Sequence, residues 1–273
     1  MCCNLSTTLR TDGQGAAVHD DNAVADCLTR WRAGQEVLPG AAARVAMLTS
    51  PAYCPQPVIA TDGRACVLDL GTGPTALSPG LAGLDATAFG ALIDRYMADA
   101  GTAYAYGRWG EDRAIYASDN YATDGDRRTV HMGVDLFCAA GTPVHAPDDG
   151  IVHIVTNNQR ELDYGPMLVL RHQLTNGAAW HSLYGHLDLA STLKLQAGQR
   201  VAAGERIAAI GSPPDNGNWP PHLHFQLILD LLGLGNEFPG VARASERDAW
   251  LTLSPNPARF FRDVDATLLD GRS

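Results

Sequence analysis

The chain of 273 residues has no apolar run near the ~18 uninterrupted residues that a membrane-crossing helix needs. Positive charge is short as well: 20 Lys and Arg stand against 30 Asp and Glu, a formal net charge of −10. Phosphate-rich partners require a basic surface, so this balance argues against nucleic acid and against anionic membrane. The six cysteines, at 2, 3, 27, 54, 66 and 138, form no CxxC pair and no regular spacing. That excludes a zinc ribbon and a disulfide framework and fits reduced thiols. The opening Met1-Cys2-Cys3-Asn4-Leu5 lacks a basic stretch followed by an apolar core, so no secretory signal is read and the expected location is cytoplasmic. What is present is 45 % hydrophobic and 18 % charged, the composition of a globular chain with a sizeable core, in one large or two modest domains.

The informative content is histidine. In Pro221-His222-Leu223-His224-Phe225 two histidines lie one residue apart within an apolar run. Successive side chains of a strand point to opposite faces, so His222, His224, Gln226 and Ile228 share one face and Leu223, Phe225, Leu227 and Leu229 share the other, which reads as core. His131 and Asp135, four apart, return to one face of a strand or a helix alike. Imidazole and carboxylate ligands suit zinc; a catalytic zinc takes three of them and leaves one position open. His131, Asp135 and one histidine of the pair make such a set. The other histidine of the pair is then placed to handle a proton or an oxyanion, and Tyr184-Gly185-His186-Leu187 supplies one more. His145, His153 and His172 have no partner in these motifs. Cys138, three residues past Asp135, is read as a small buried hydrophobe rather than a nucleophile.

These motifs, together with Gly141-Thr142-Pro143-Val144, Ala146-Pro147-Asp148-Asp149-Gly150 and the stretch from Gly198 through Gly211, resemble the lysostaphin-type (LytM-type) zinc endopeptidases in order and spacing. The resemblance covers roughly residues 127 to 230 and fills all five functional positions. It implies one Zn2+ per chain held by His131, Asp135 and His224, with His186 and His222 as the catalytic histidines that activate water against a peptide carbonyl. The implied substrate is a peptidoglycan-type or small soluble peptide. A non-catalytic zinc-binding interaction or spacer module is the alternative. Trp219, in the Pro- and Asn-rich loop before the histidine pair, is assigned to line the cleft and stack on substrate, and His181, Tyr184 and Asn218 are assigned as further lining residues. The wording around the core, including Arg128-Thr129-Val130-His131 and Leu162-Asp163-Tyr164-Gly165-Pro166, resembles a branch found inside long cytosolic polypeptides. That branch implies fused or associated kinase-like and class-III aminotransferase domains as partners.

Three regions follow. Residues 1–120 form an N-terminal α+β region of unassigned role, with 1–35 expected to be loosely packed. Within it, 43–70 reads as strands and loops split by Pro51, Pro55 and Pro57. Phe89, Leu92, Ile93, Tyr96 and Met97 recur at helical spacing behind Asp85, which predicts one N-capped amphipathic helix. Val67-Leu68-Asp69-Leu70-Gly71-Thr72-Gly73 is similar to the first glycine motif of methyltransferases, but the third glycine is missing and it is read as a turn. The polar stretch from Tyr116 to Arg128 is expected to border the cleft. Residues 127–230 carry short apolar runs at 151–155, 167–170, 180–184, 207–210 and 223–229 with Gly and Pro between them, which predicts a mainly β antiparallel sheet or sandwich. Residues 231–273, polar and Pro-rich, read as a C-terminal tail or linker.

Overall fold

The alternating runs become strands. The computed structural model describes residues 21–61, 64–73, 77, 85–113, 122–123, 126–160, 162–262 and 264–272. In chain order the strands are β1 (Ala65–Leu68), β2 (Tyr104–Gly107), β3 (Ala122–Thr123), β4 (Asp126–His131), β5 (Val134–Phe137), β6 (Pro143–His145) and β7 (Gly150–Asn158). They continue as β8 (Gly165–Gln173), β9 (Ala179–Gly185), β10 (Arg200–Val201), β11 (Arg206–Ala209), β12 (His222–Ile228) and β13 (Val241–Arg243). The helices are α1 (Asp21–Arg32), α2 (Ala41–Thr49), α3 (Ala86–Asp99), α4 (Leu189–Thr192) and α5 (Arg247–Leu253).

Eight strands form one sheet in the order β1-β2-β5-β12-β9-β8-β7-β10. Every pairing in it is antiparallel except β1 with β2. Two smaller sheets, β11-β6 and β13-β4-β3, stand beside it. The mainly β, antiparallel architecture expected for 127–230 is therefore what the chain adopts. One face of the large sheet is apolar: Val134 lies opposite Phe225, Phe225 opposite Tyr184, and Tyr184 opposite Leu168. All four are fully buried.

The N-terminal region joins this sheet rather than standing apart, because β2 pairs with β5. The helix behind Asp85 forms as α3, with the Asp85 carboxylate accepting from the Ala88 N–H. Its Phe89 and Ile93 are buried against Leu68, Leu70, Ala105 and Phe137. Two expectations are corrected. The stretch from Ala41 is helical, since an Ala-rich run is a strong helix former and outweighs the Pro punctuation that follows it. Within 1–35, the described part is helix α1, whose Cys27 and Leu28 are buried with Val24 and Trp31 packed beside them, an apolar stripe at helical spacing; residues 1–20 lie outside the described residues.

The tail or linker reading of 231–273 is also corrected. Phe260 and Phe261 are buried against Phe225, with ring centroids 5.4 and 5.8 Å away. Phe238, Trp250, Leu251 and Leu253 are buried too. The polar and Pro-rich composition marked irregular backbone, not separation from the core.

Candidate metal centre

Register brings the histidine motifs together. β5 and β12 are neighbours, with Asp135 opposite His224 and Phe137 opposite His222. On either side of that pair stand Gly107 of β2 and Gly185 of β9. Both glycines are needed for close approach: a Cβ on Gly107 would meet Arg113 Nη2 at 2.6 Å, and one on Gly185 would meet the Tyr164 ring at 2.7 Å. His131 ends β4 and is held from outside by β13, where Val241 pairs with it. His186 follows Gly185 with a left-handed φ of 62°, which turns it out of the strand.

Three ligand-type atoms converge. Asp135 Oδ1 lies 3.2 Å from His131 Nε2 and 3.1 Å from His224 Nδ1, and the two imidazole nitrogens lie 3.0 Å apart. Their protonation follows from the partners on the far side of each ring. His131 Nδ1 faces the Arg108 carbonyl at 2.9 Å, so Nδ1 carries the hydrogen and Nε2 the lone pair. Gln226 donates its amide hydrogens to the Pro239 carbonyl (3.2 Å) and Ser254 Oγ (2.8 Å), leaving its Oε1 to accept from His224 Nε2 at 3.0 Å. In the neutral ring the His224 hydrogen therefore sits on Nε2 and the lone pair on Nδ1. The remaining Asp135 oxygen, Oδ2, accepts from Arg113 Nη1 at 2.6 Å.

Burial and the neighbouring Arg113 guanidinium push the His131 imidazole down to about 4, which keeps it neutral at physiological pH. Burial pulls the Asp135 carboxyl up, but the Arg113 guanidinium beside it opposes that, and the carboxyl is held well below the usual carboxylate range. Three acceptors thus meet with no hydrogen between them, all within 4.8 Å of one another and all buried. Such a group is repulsive unless a cation lies among its atoms. Two imidazole nitrogens and one carboxylate oxygen are the donor set of a catalytic zinc, so these residues fit that ion.

His186 and His222 stand next to this group with ring centroids 4.3 Å apart. His186 Nδ1 donates to the Asn216 carbonyl at 2.9 Å and His222 Nδ1 to the Pro220 carbonyl at 2.7 Å, which leaves Nε2 as the basic atom of each. Burial lowers the proton affinity of both, and for His186 the adjacent His222 lowers it further.

A cleft of about 350 Å³ opens over the site, lined by Asp135, His186, His222 and His224 together with Phe89 and Trp219. Trp219 stands edge-on to Phe89, His186 and His222, with ring centroids at 6.5, 6.1 and 6.2 Å. The other assigned lining residues are not brought to the cleft. Tyr184 points to the opposite face, into the core against Phe225. His181 is on the site's face but pairs with Ile228, four pairs along β12 from His224, and its ring neighbours His153 instead. Asn218 takes a left-handed turn conformation with φ 63°, a role Asn tolerates. Of the polar stretch 116–128, residues 122–123 and 126–128 are described, and Arg128 does line the cleft. Burial pushes the Cys138 thiol up to about 11, which removes it as a nucleophile.

Sequence reasoning missed Arg113, Glu111 and Arg108, whose spacing carries no motif, and passed over Gln226, which the strand alternation had placed beside His224. The comparisons with known proteins converge on the same stretch. Residues 129–231 match Peptidase family M23. An uncharacterized metalloprotease of Haemophilus influenzae is 38% identical over 100 residues, 37% of this chain and 19% of that protein. The peptidoglycan DD-endopeptidase ShyA of Vibrio cholerae is 32% identical over 103 residues, 38% of this chain and 21% of that protein. The L-Ala--D-Glu endopeptidase of Bacillus subtilis is 30% identical over 135 residues, 47% of this chain and 36% of that protein. The chain thus spans about a fifth of the length of the first two relatives and about a third of the last. The M23 segment starts two residues before His131 and ends seven after His224, so it contains all five motif positions and excludes Arg108, Glu111 and Arg113.

Proposed function

We propose that this chain is a zinc-dependent peptide hydrolase that cleaves a peptide bond in a muropeptide-type or small soluble peptide. The observation that carries the reading is the meeting of three unprotonated acceptors, on His131, Asp135 and His224, in the floor of a cleft beside two neutral imidazoles. Zinc held there would polarise the scissile carbonyl and acidify a water. The protein's own part is proton handling. His186 and His222 each offer a basic Nε2, and either becomes a hydrogen-bond donor to an oxyanion only after it has taken a proton. Their closeness means that only one of the two carries charge at a time. The two endopeptidases similar to this chain, from Vibrio cholerae and Bacillus subtilis, support the choice of peptide bond.

The test is metal content by elemental mass spectrometry on untagged protein and on Asp135→Ala, followed by incubation with muropeptides and dipeptides and mass analysis of the products. One zinc per chain, lost in the variant, with metal-dependent cleavage is the expected result. Stoichiometric zinc without cleavage of any of these peptides would move the reading to a zinc-binding module. Absence of metal after zinc is added back would overturn it.

A further inference from the structure

Arg113 is almost fully enclosed, with 1 % of its side chain exposed, and its fork is spent on three different groups. Nη1 donates to Asp135 Oδ2 at 2.6 Å, Nε donates to Glu111 Oε2 at 2.9 Å, and Nη2 donates to the Arg108 carbonyl at 3.3 Å. That carbonyl is the one that accepts from His131 Nδ1 at 2.9 Å. A single guanidinium therefore touches the far oxygen of one candidate ligand and the backing group of another. Glu111 is equally buried and is held in turn by Arg108, whose Nη2 lies 2.7 Å from Glu111 Oε1 and 2.6 Å from Asp69 Oδ1. The result is a row of alternating charge, Asp69, Arg108, Glu111, Arg113, Asp135, running from the partly exposed end of β1 into the metal centre.

A buried arginine next to a cation site is unfavourable on charge alone, since like charges repel in a medium of low dielectric. Its position therefore calls for a compensating reason, and geometry supplies one. With Oδ2 tied to Arg113, only Oδ1 of Asp135 is left to face His131 Nε2 and His224 Nδ1. With Nη2 on the Arg108 carbonyl, that carbonyl is fixed where it selects the His131 tautomer. A lysine carries the same charge but cannot reach three acceptors in three directions.

We propose that Arg113, with Glu111 as its counter-charge, is the positioning residue of the metal centre: it fixes Asp135 as a one-oxygen ligand and orients His131 through the Arg108 carbonyl. This rests on the zinc reading above and adds a layer that lies outside the M23-matched segment. Charge and geometry predict opposite signs. If Arg113 acted only through its charge, Arg113→Met would tighten metal binding. As a positioning residue, its loss weakens binding and frees the carboxylate to bind through both oxygens, which raises the coordination number.

The experiment measures zinc affinity by chelator competition, and the visible absorption of the cobalt(II)-substituted protein, for the full chain and for Arg113→Met and Arg113→Lys. Circular dichroism of the metal-free forms reports folding. The expected result is zinc binding weakened ~10–100-fold in both variants, the range for loss of a ligand's supporting partner. The cobalt bands should also lose intensity, as they do when coordination rises above four. Wild-type affinity with an unchanged cobalt spectrum in Arg113→Lys, or tighter binding in Arg113→Met, would overturn the assignment. Should Arg113→Met fail to fold, Arg113→Lys decides by the same two readings. Failure of the wild-type chain to bind zinc or cobalt would instead overturn the zinc reading together with this one.

Discussion

The lone pairs of His131 Nε2 and His224 Nδ1 face each other at 3.0 Å, with the hydrogen of each ring committed to a partner on its far side. Metal removal leaves that contact, and the Asp135 carboxylate beside it, uncompensated. A chelator should therefore lower the melting temperature and zinc should restore it. A ligand that binds only the folded chain stabilises it by about 2.7 kcal/mol at a hundredfold excess over Kd. Calorimetry of the treated and reloaded protein checks this; an unchanged melting temperature would count against a metal at this place.

The two groups of histidines should separate by experiment. His131→Ala removes a ligand and should lose zinc. His186→Ala and His222→Ala keep all three converging atoms, so they should hold one zinc per chain while turnover falls ~10²–10⁴-fold, the usual contribution of a positioned acid or base. Parallel metal and rate measurements decide it, and retained turnover in His186→Ala would remove that residue from its assigned role.

Gln226 fixes the His224 tautomer by accepting from Nε2 at 3.0 Å while its amide is held by Pro239 and Ser254. Gln226→Leu keeps the strand and the volume but removes the acceptor. Zinc affinity should fall ~10–100-fold with little change in secondary structure, as read by chelator competition and circular dichroism.

The inner part of this site was legible because strand alternation is a strict rule. Two histidines at spacing two in an apolar run share a face, and the register of β5 with β12 then sets His224 against Asp135. The α3 helix was legible for the same reason, through its 3.6-residue stripe and its Asp85 cap. Arg113 was not, since it reaches Asp135 from 22 positions away and no local pattern records a long-range ion pair. Tyr184 was misjudged because it lies one residue out of phase with the site face, next to a motif that drew attention to it. The C-terminal stretch was misjudged because composition reports how regular a backbone is, whereas Phe238, Trp250 and Phe260 were there to report what it buries.

That C-terminal packing carries a measurable consequence. Phe260 is 1 % exposed and its ring contacts Tyr53, Trp180 and Phe225 from three separate parts of the chain. Phe260→Ala should cost about 3–5 kcal/mol, the range for removing a buried aromatic ring. Urea denaturation of the two proteins measures it; a loss under about 1 kcal/mol would mean that the C-terminal segment is not part of the cooperative core.

His172 gives the chain an acid-sensitive point remote from the metal centre. Its ring stacks on Trp180 at 4.2 Å, Nδ1 donates to the Asp149 carbonyl at 2.9 Å, and Nε2 accepts from Ser182 Oγ at 2.7 Å. Burial pushes its proton affinity down to about 4, against the pull of the Asp149 carbonyl and of the Asp148 and Asp149 carboxylates. Between the unfolded value of 6.5 and the folded value of about 4, the unfolded chain binds the proton more readily. Stability from this group is therefore complete above pH 6.5, falls as the pH drops through that window, and changes no further below about 4. The full effect is at most roughly 3 kcal/mol, from ~1.36 kcal/mol per pKa unit. The difference between wild type and His172→Gln isolates it from the other titrating groups. Urea midpoints of the two proteins should converge from pH 7 to pH 4, and parallel curves across that range would show that His172 does not titrate out of the fold.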